Sequence, residues 1–193
     1  MEVQDVHVAT SVMGTIRRWK RESPPGFQFA VISPRDVGLE GYRDGKIVET
    51  ALGQLTDVVK ELSATTAIFL APQDFAPSRS NKSQLKDFLA GVRPRFEHVV
   101  WEAPNAWDPD EAAAVCADFK VAAARDPLAH GIAPGEVGYY RMPGPAGYKS
   151  RYEDPAIERL AALAAEAKHK RATYVFANVD MFADAKRFRK LVK

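Results

Sequence analysis

Short apolar runs alternate with amphipathic stretches along the whole chain, and that alternation predicts β-α units. Val3 to Val8 reads Val-Gln-Asp-Val-His-Val, an apolar-polar alternation that suits a first strand. Thr10 to Gly14 reads as a connection. Ile16 and Trp19 give a short helical face that must stop before Pro24, because proline disfavours the α conformation in its predecessor. Pro24-Pro25-Gly26 is a stiff turn. Phe27 to Ile32 is a second strand, and its continuous apolar end suggests burial on both faces.

The pattern then repeats. A Gly-containing loop from Gly38 to Gly45 leads to a helix from Glu49 to Leu62, with Leu52, Leu55, Val58, Val59 and Leu62 on one face. Thr66 to Ala71 is the third strand, ended by Pro72. Leu85, Phe88, Leu89 and Val92 mark the next helix, which Gly91 and Pro94 stop. His98 to Glu102 is the fourth strand. Asp108 can cap a helix, with Pro109 at its first position and Glu111 placed to reach back in a capping box. That helix runs to about Asp118.

A fifth strand from Phe119 to Ala124 goes against alanine's low strand propensity. Pro127 to Gly135 is a loop, and Val137 to Met142 is the sixth strand. Gly144 to Tyr152 forms a flexible, basic and aromatic loop. Asp154-Pro155 opens a helix with Ile157, Leu160, Leu163, Ala164 and Ala167 on its face. Thr173 to Ala177 is the seventh strand. Asp180 caps a last helix carrying Phe182, Ala185 and Phe188 on one side.

Strands of five or six residues alternating with helices leave two architectures, an open doubly wound sheet and a closed barrel. The first β-α turn has no Gly-rich phosphate fingerprint, which weakens a dinucleotide fold. Seven strands in 193 residues average about 27 residues per unit, which suits a barrel one unit short of eight. A chain of this length buries roughly 70% of its unfolded surface, enough for one domain over residues 1–193. At 46% hydrophobic and 27% charged, it lies in the ordinary globular range, which excludes general disorder.

The net charge of +2 is unevenly spread. Lys168 to Lys193 holds 8 basic and 2 acidic residues, so the remainder is acidic on balance. Such an end can touch nucleic acid weakly, or be a solvated helix face. Cys116 is the only cysteine, so no intramolecular disulfide or thiolate metal cluster can form, and its Ala-rich surroundings predict a buried, inert thiol. The four histidines are scattered, none four residues from another, which argues against zinc. No metal and no cofactor is expected. The first residues lack the pattern of a signal peptide, and no apolar run nears the roughly 20 residues that span a bilayer. The chain reads as soluble and cytoplasmic.

Thr15-Ile-Arg-Arg-Trp19, Pro24-Pro-Gly-Phe-Gln-Phe-Ala-Val31 and Pro34-Arg35 resemble the YecE-like family, number seventy-two in the domain-of-unknown-function series. Trp101-Glu102 with Trp107 continue the likeness. Tyr140-Arg141 with Gly144, Tyr148 and Tyr152, and Tyr174-Val-Phe-Ala-Asn178, complete it in the family's order. The resemblance implies a reduced TIM-type (β/α) barrel of about seven parallel strands, with the family's first strand missing, and it implies no particular reaction. The family's Lys after Phe-Ala-Val is Ile32 here, and its Gln before the third strand's end is Leu70. Its Arg-His after the strand Glu is Ala103-Pro104, and its His after Tyr-Arg is Pro143. The likeness therefore bears on fold more than on shared catalysis.

In such barrels ligands bind at the C-terminal ends of the strands. Those ends carry Arg35 and Asp36, Gln73 and Asp74, Glu102, Arg125 and Asp126, Arg141, and Asn178 with Asp180. Three arginines on one rim suit a small anionic ligand bearing phosphate or carboxylate. Arg35 and Arg141 would hold the anion, with Asn178, Asp180 and Tyr148 as further ligand contacts. Glu102 follows an apolar run, so burial could raise its pKa toward that of a general acid or base in hydrolytic or phosphate-ester chemistry. Alternatively Glu102 and Arg141 form a structural ion pair, and Asn178 satisfies loop backbone. Tyr139, Tyr140, Tyr148 and Tyr152, alternating with Lys149 and Arg151, make either a lid and stacking surface or ordinary packing. A different class of function also fits. A barrel lacking a strand has an open edge for a partner or a second copy, which would make it a non-catalytic binding or assembly protein.

Overall fold

Helix and strand alternate from Glu2 to Leu191, as the hydrophobic pattern predicts, in a computed structural model that describes residues 1–8 and 13–192. Positions 10–12 of the expected first connection, and Lys193 at the end of the basic run, lie outside the described residues. Two compact units make up the chain, Met1–Val121 and Ala122–Lys193.

In the first unit β1 (Glu2–Val3), β2 (Ala30–Ile32), β3 (Thr66–Leu70) and β4 (His98–Glu102) are parallel neighbours in chain order. β1 is two residues instead of six. Burial at Val3 and Val6 has the three-residue spacing of a helical turn, His7 N–H donates to the Gln4 carbonyl, and Asp5–Val8 winds into α1. β2 begins three residues later than expected. Phe27 N–H closes the proline turn onto the Pro24 carbonyl, and the Gln28 carbonyl accepts from the terminal ammonium at 2.8 Å.

α2 (Met13–Glu22) ends before Pro24, as expected, where the Ser23 hydroxyl donates to the Trp19 carbonyl. The loop expected after β2 opens with one helical turn, α3 (Asp36–Leu39). α4 (Lys46–Leu62) buries Leu52, Leu55, Val58 and Leu62, each such burial contributing roughly 1.5–3 kcal/mol. Ser78 caps α5 (Arg79–Val92), which runs into a 3-10 turn, Arg93–Arg95. α6 (Pro109–Ala117) starts where the Asp-Pro signal puts it, with the Asp108 carboxylate accepting from the Asp110 and Glu111 N–H groups. The Glu111 side chain instead pairs with Lys82 of α5.

The strand register sorts side chains by face, because alternate residues point to opposite sides. Phe69 and Trp101 are register partners, and Phe69 packs on Phe88 of α5, which marks the helix-covered face. Trp101 Nε1–H donates to the Tyr42 hydroxyl at 3.0 Å within an aromatic cluster that includes Phe75 and Trp107. Ile32 partners Ile68, and Leu70 partners Glu102; these four occupy the opposite face.

In the second unit β5 (Ala122–Arg125), β6 (Val137–Met142) and β7 (Arg171–Phe176) are parallel neighbours in chain order. β5 starts three residues beyond the expected start, because Lys120 adopts a left-handed backbone (φ 55°) and Val121 N–H returns to Cys116, closing the end of α6. The loop expected after it holds one helical turn, α7 (Pro127–His130), capped by the Asp126 carboxylate. α8 (Asp154–Glu166) and α9 (Met181–Leu191) cover one face of this sheet. There Tyr140, Met142 and Phe176 pack with Ile157, Leu160 and Phe188, and Tyr174 stacks on Tyr140 with ring centroids 5.0 Å apart.

α9 departs from its expected face. Phe188 is buried, but its inward partner one turn earlier is Asp184, while Phe182 is 80% exposed and Ala185 is exposed. Nor does the Asp180 side chain cap the helix by a hydrogen bond. Met181, Asp184 and Phe188 form the i, i+3, i+7 stripe that faces the sheet, and this leaves Phe182 about 100° round the helix, in solvent.

Candidate functional site

In the first unit the polar residues at the strand ends are exposed or half-buried. Arg35 and Asp36 are exposed where α3 begins, and the Arg35 N–H donates to the His7 carbonyl at 3.2 Å. Gln73 and Asp74 are exposed in the turn after β3. Glu102 is half-buried at the last position of β4, beside Leu70 in the register, with buried Ile32 and Ile68 on the same face. Thus two positions where the YecE-like pattern has polar residues, Ile32 and Leu70, share with Glu102 the face turned away from the helices. The tryptophans lie elsewhere: Trp101 and Trp107 are buried on the helix side, and Trp107 Nε1–H donates to the Phe75 carbonyl at 2.8 Å.

In the second unit the register separates two arginines that sequence position alone grouped together. Arg125 is the register partner of Tyr140, so both point to the helix-covered face. There Arg125 is buried, with Nη1 donating to the His130 carbonyl at 3.4 Å, and Asp126 is occupied as the α7 cap. This removes Arg125 from the expected rim of three arginines. Arg141 lies between Tyr140 and Met142 and therefore points to the other face, where its register partner is Val175. It is half-buried, one residue before the end of β6.

Residues 143–153 follow β6, and they are braced rather than loose. Gly144 has φ +98°, and a Cβ there would meet the Gly147 carbonyl oxygen at 2.4 Å, so the turn requires glycine. Gly144 N–H donates to the buried Tyr152 hydroxyl at 2.9 Å, and burial pushes that hydroxyl's pKa up to about 12. Ser150 Oγ–H donates to the Gly147 carbonyl and accepts from Ala146 N–H. Val179 N–H donates to the Tyr148 carbonyl at 2.7 Å. Of the four tyrosines considered for a lid, Tyr139, Tyr140 and Tyr152 are buried in packing, and only Tyr148 is exposed, at 59%.

Asn178 and Asp184 hold this segment. Asn178 is fully buried just after β7, and its Nδ2 donates to the Ser150 carbonyl at 2.9 Å and to Asp184 Oδ2 at 2.7 Å. Its Oδ1 is buried with no hydrogen-bond partner among the described residues. Asp184, 1% exposed, also accepts from Arg187 at 2.6 Å and from Tyr152 N–H at 3.3 Å. Arg187 donates further to Asp154 and to the Tyr152 carbonyl. Burial alone would raise the Asp184 pKa, but donors from Arg187, Asn178 and Tyr152 hold it below the usual carboxylate range. The hydrogen bond to Asp184 in turn raises the Arg187 pKa. The sequence reading missed Asp184 and Arg187, although an i, i+3 acid-base pair in an otherwise basic helix was a visible signal. Asp180 is half-buried at the start of α9.

Among the described residues no three His, Cys, Asp or Glu side chains gather as a metal site. No helix among them is long and apolar enough to cross a membrane. Cys116 is buried and its thiol is pushed up to about 12 by burial. The burial expected of it is what the structure shows.

Residues 2–193 match the family model described as "Protein of unknown function DUF72". Among solved structures the chain is similar to a DUF72 family protein from Enterococcus faecalis V583. In one crystal structure the TM-score is 0.76 at 12% identity, over 99% of this chain and 83% of that one. A second structure gives 0.75 at 13% identity, over 99% and 88%. A DUF72 family protein from Thermotoga maritima gives 0.72 at 19% identity, over 95% and 80%. No curated protein matches. At these identities the likeness is one of fold, and the fold class is α/β of the TIM-barrel type with seven parallel strands.

Proposed function

Since the chain belongs to the DUF72 family, the same family as the YecE-like resemblance, and its fold is of the type whose ligands meet the strand C-termini, we propose that it binds a small phosphate- or carboxylate-bearing anion there. The observation that carries this reading is Arg141, half-buried at the end of β6 on the face turned away from the helices. A guanidinium is always charged, presents five donors in a planar fork and gives up hydration more readily than an ammonium. Asn178 supports the reading as a positioning residue, because its bond to the Ser150 carbonyl holds residues 143–153 in place. Tyr148 and Asp180 flank the same end of the second unit.

The first unit has its own strand-end groups on this reading. Arg35 supplies an anion contact, and Glu102, on the apolar face beside Leu70, supplies acid-base function for hydrolytic or phosphate-ester chemistry.

The test is a thermal-shift and calorimetric titration with inorganic phosphate, pyrophosphate and citrate on wild type, Arg141→Ala and Arg141→Lys. Arg35→Ala and Glu102→Gln are run separately. A ligand at tenfold its Kd stabilises by about 1.4 kcal/mol, roughly 3–6 °C for a chain of this size. The expected result is a shift in wild type that Arg141→Ala abolishes and Arg141→Lys reduces. Equal shifts in wild type and Arg141→Ala for every anion would refute the site.

A further inference from the structure

The outward side of α9 carries a feature the anion reading does not use. Phe182 is 80% exposed, the most exposed large apolar side chain among the described residues. With 3.6 residues per turn, Phe182, Lys186 and Arg189 fall within a sector of about 60°, and the run from 182 to 189 rises about 10 Å. All three are exposed, and no exposed side chain of α9 is acidic. Lys186 and Arg189 have no ion pair or side-chain hydrogen bond among the described residues, whereas Arg187, on the inner side, is committed to Asp184 and Asp154. At the head of the stripe the Val179 N–H bond to the Tyr148 carbonyl sets a second exposed aromatic, followed by exposed Lys149, beside the start of α9.

We infer that this stripe is a binding surface for single-stranded nucleic acid, with Phe182 and Tyr148 as base-stacking platforms and Lys149, Lys186 and Arg189 tracking the phosphates. Charge complementarity carries the choice of partner. Unpaired cations spaced about one helical turn apart, next to exposed aromatic rings, are the combination that non-specific single-strand binders use. An anionic bilayer fits less well, because it needs one continuous apolar face. The two large exposed apolar residues of α9, Phe182 and Leu191, are nine positions apart and so lie on opposite sides of the helix. The duplex also fits less well, since its bases are stacked inside and unavailable to the rings.

The experiment is fluorescence anisotropy of the full chain with a labelled twelve-nucleotide oligo-dT, the matching duplex, and phosphatidylserine-containing vesicles, at 50 mM and 200 mM salt. Wild type is expected to bind the single strand more tightly than the duplex. Phe182→Ala, at a solvent-exposed site with no packing to lose, is expected to bind about tenfold more weakly. Lys186→Gln with Arg189→Gln should flatten the slope of log K against log salt by about 1.4. Circular dichroism melts matching wild type show that each variant folds. No binding of oligo-dT at 50 mM salt would overturn the inference, as would unchanged affinity in Phe182→Ala, or vesicle binding without oligonucleotide binding. Retention of the phosphate-induced melting shift in Phe182→Ala separates the α9 stripe from the anion site, with which the surface shares Tyr148.

Discussion

Asp184→Ala removes the centre of the brace under residues 143–153, and its cost can be worked from the geometry. The carboxylate is 1% exposed and accepts from Arg187, Asn178 and Tyr152 N–H. Breaking a buried ion pair costs about 3–5 kcal/mol, most of it from the charge left behind. Here the abandoned guanidinium keeps Asp154 and the Tyr152 carbonyl and is one-third exposed, so that part is discounted. The Tyr152 N–H and one Asn178 N–H still lose a buried acceptor, at about 1–3 kcal/mol each. Together these give about 3 kcal/mol, or roughly 6–12 °C in Tm. Asp184→Asn, which keeps shape and one acceptor oxygen, should lose less.

Urea unfolding followed by far-ultraviolet circular dichroism, which reports the helices and strands of both units, reads this quantity. Hydrogen exchange should quicken across residues 143–153 and the start of α9. The pH dependence follows from the lowered Asp184 pKa. Its contribution is complete above the unfolded value of about 3.9 and is lost as pH falls through the lower folded value. The gap between wild type and Asp184→Asn should therefore close between those two values. An Asp184→Ala variant within about 0.5 kcal/mol of wild type, with unchanged exchange, would refute the reasoning.

Three further outcomes test the packing. Cys116, fully buried with its thiol pushed up to about 12, should resist Ellman's reagent in the native protein and react at once in 6 M guanidinium; rapid native labelling would contradict it. Gly38→Ala would drive a Cβ to 2.7 Å from the Leu70 carbonyl oxygen, which as backbone cannot step aside, and should cost about 1–3 kcal/mol. Gly53→Ala in α4, with nothing within 4 Å of the new methyl, should stabilise by about 0.5–1 kcal/mol. A reversed order in urea midpoints would undo that account.

Much of this fold is legible from hydrophobic spacing because its elements are local. β4 and β6 match their expected bounds, and α6 starts where Asp108-Pro109 says it must. The misses have physical causes outside any local pattern. The Val3 to Val8 alternation gives way to burial at Val3 and Val6 and a turn. β5, built largely from alanine, forms because parallel ladder bonds and two tyrosines opposite it outweigh propensity. Its start is delayed by Lys120, whose left-handed conformation no propensity scale predicts.

The candidate site was legible in position along each strand but not in face. Arg125 and Arg141 both sit at strand ends, yet the register sends Arg125 toward the helices with Tyr140 and Arg141 to the other side. In a parallel sheet both faces are apolar, so parity cannot be read from the flanking residues, and a one-residue slip exchanges the faces. The same ambiguity governs α9. Hydrophobicity alone nominates Phe182, Ala185 and Phe188 as the inward stripe, and a carboxylate at 184 looks like a solvent residue. Only the donors from Arg187, Asn178 and Tyr152, which come from three separate segments, make it favourable to bury Asp184 and turn the helix so that Phe182 faces out. The buried acid and the exposed ring are one choice of helix rotation, so a variant that releases Asp184 should change the exposure of Phe182 as well.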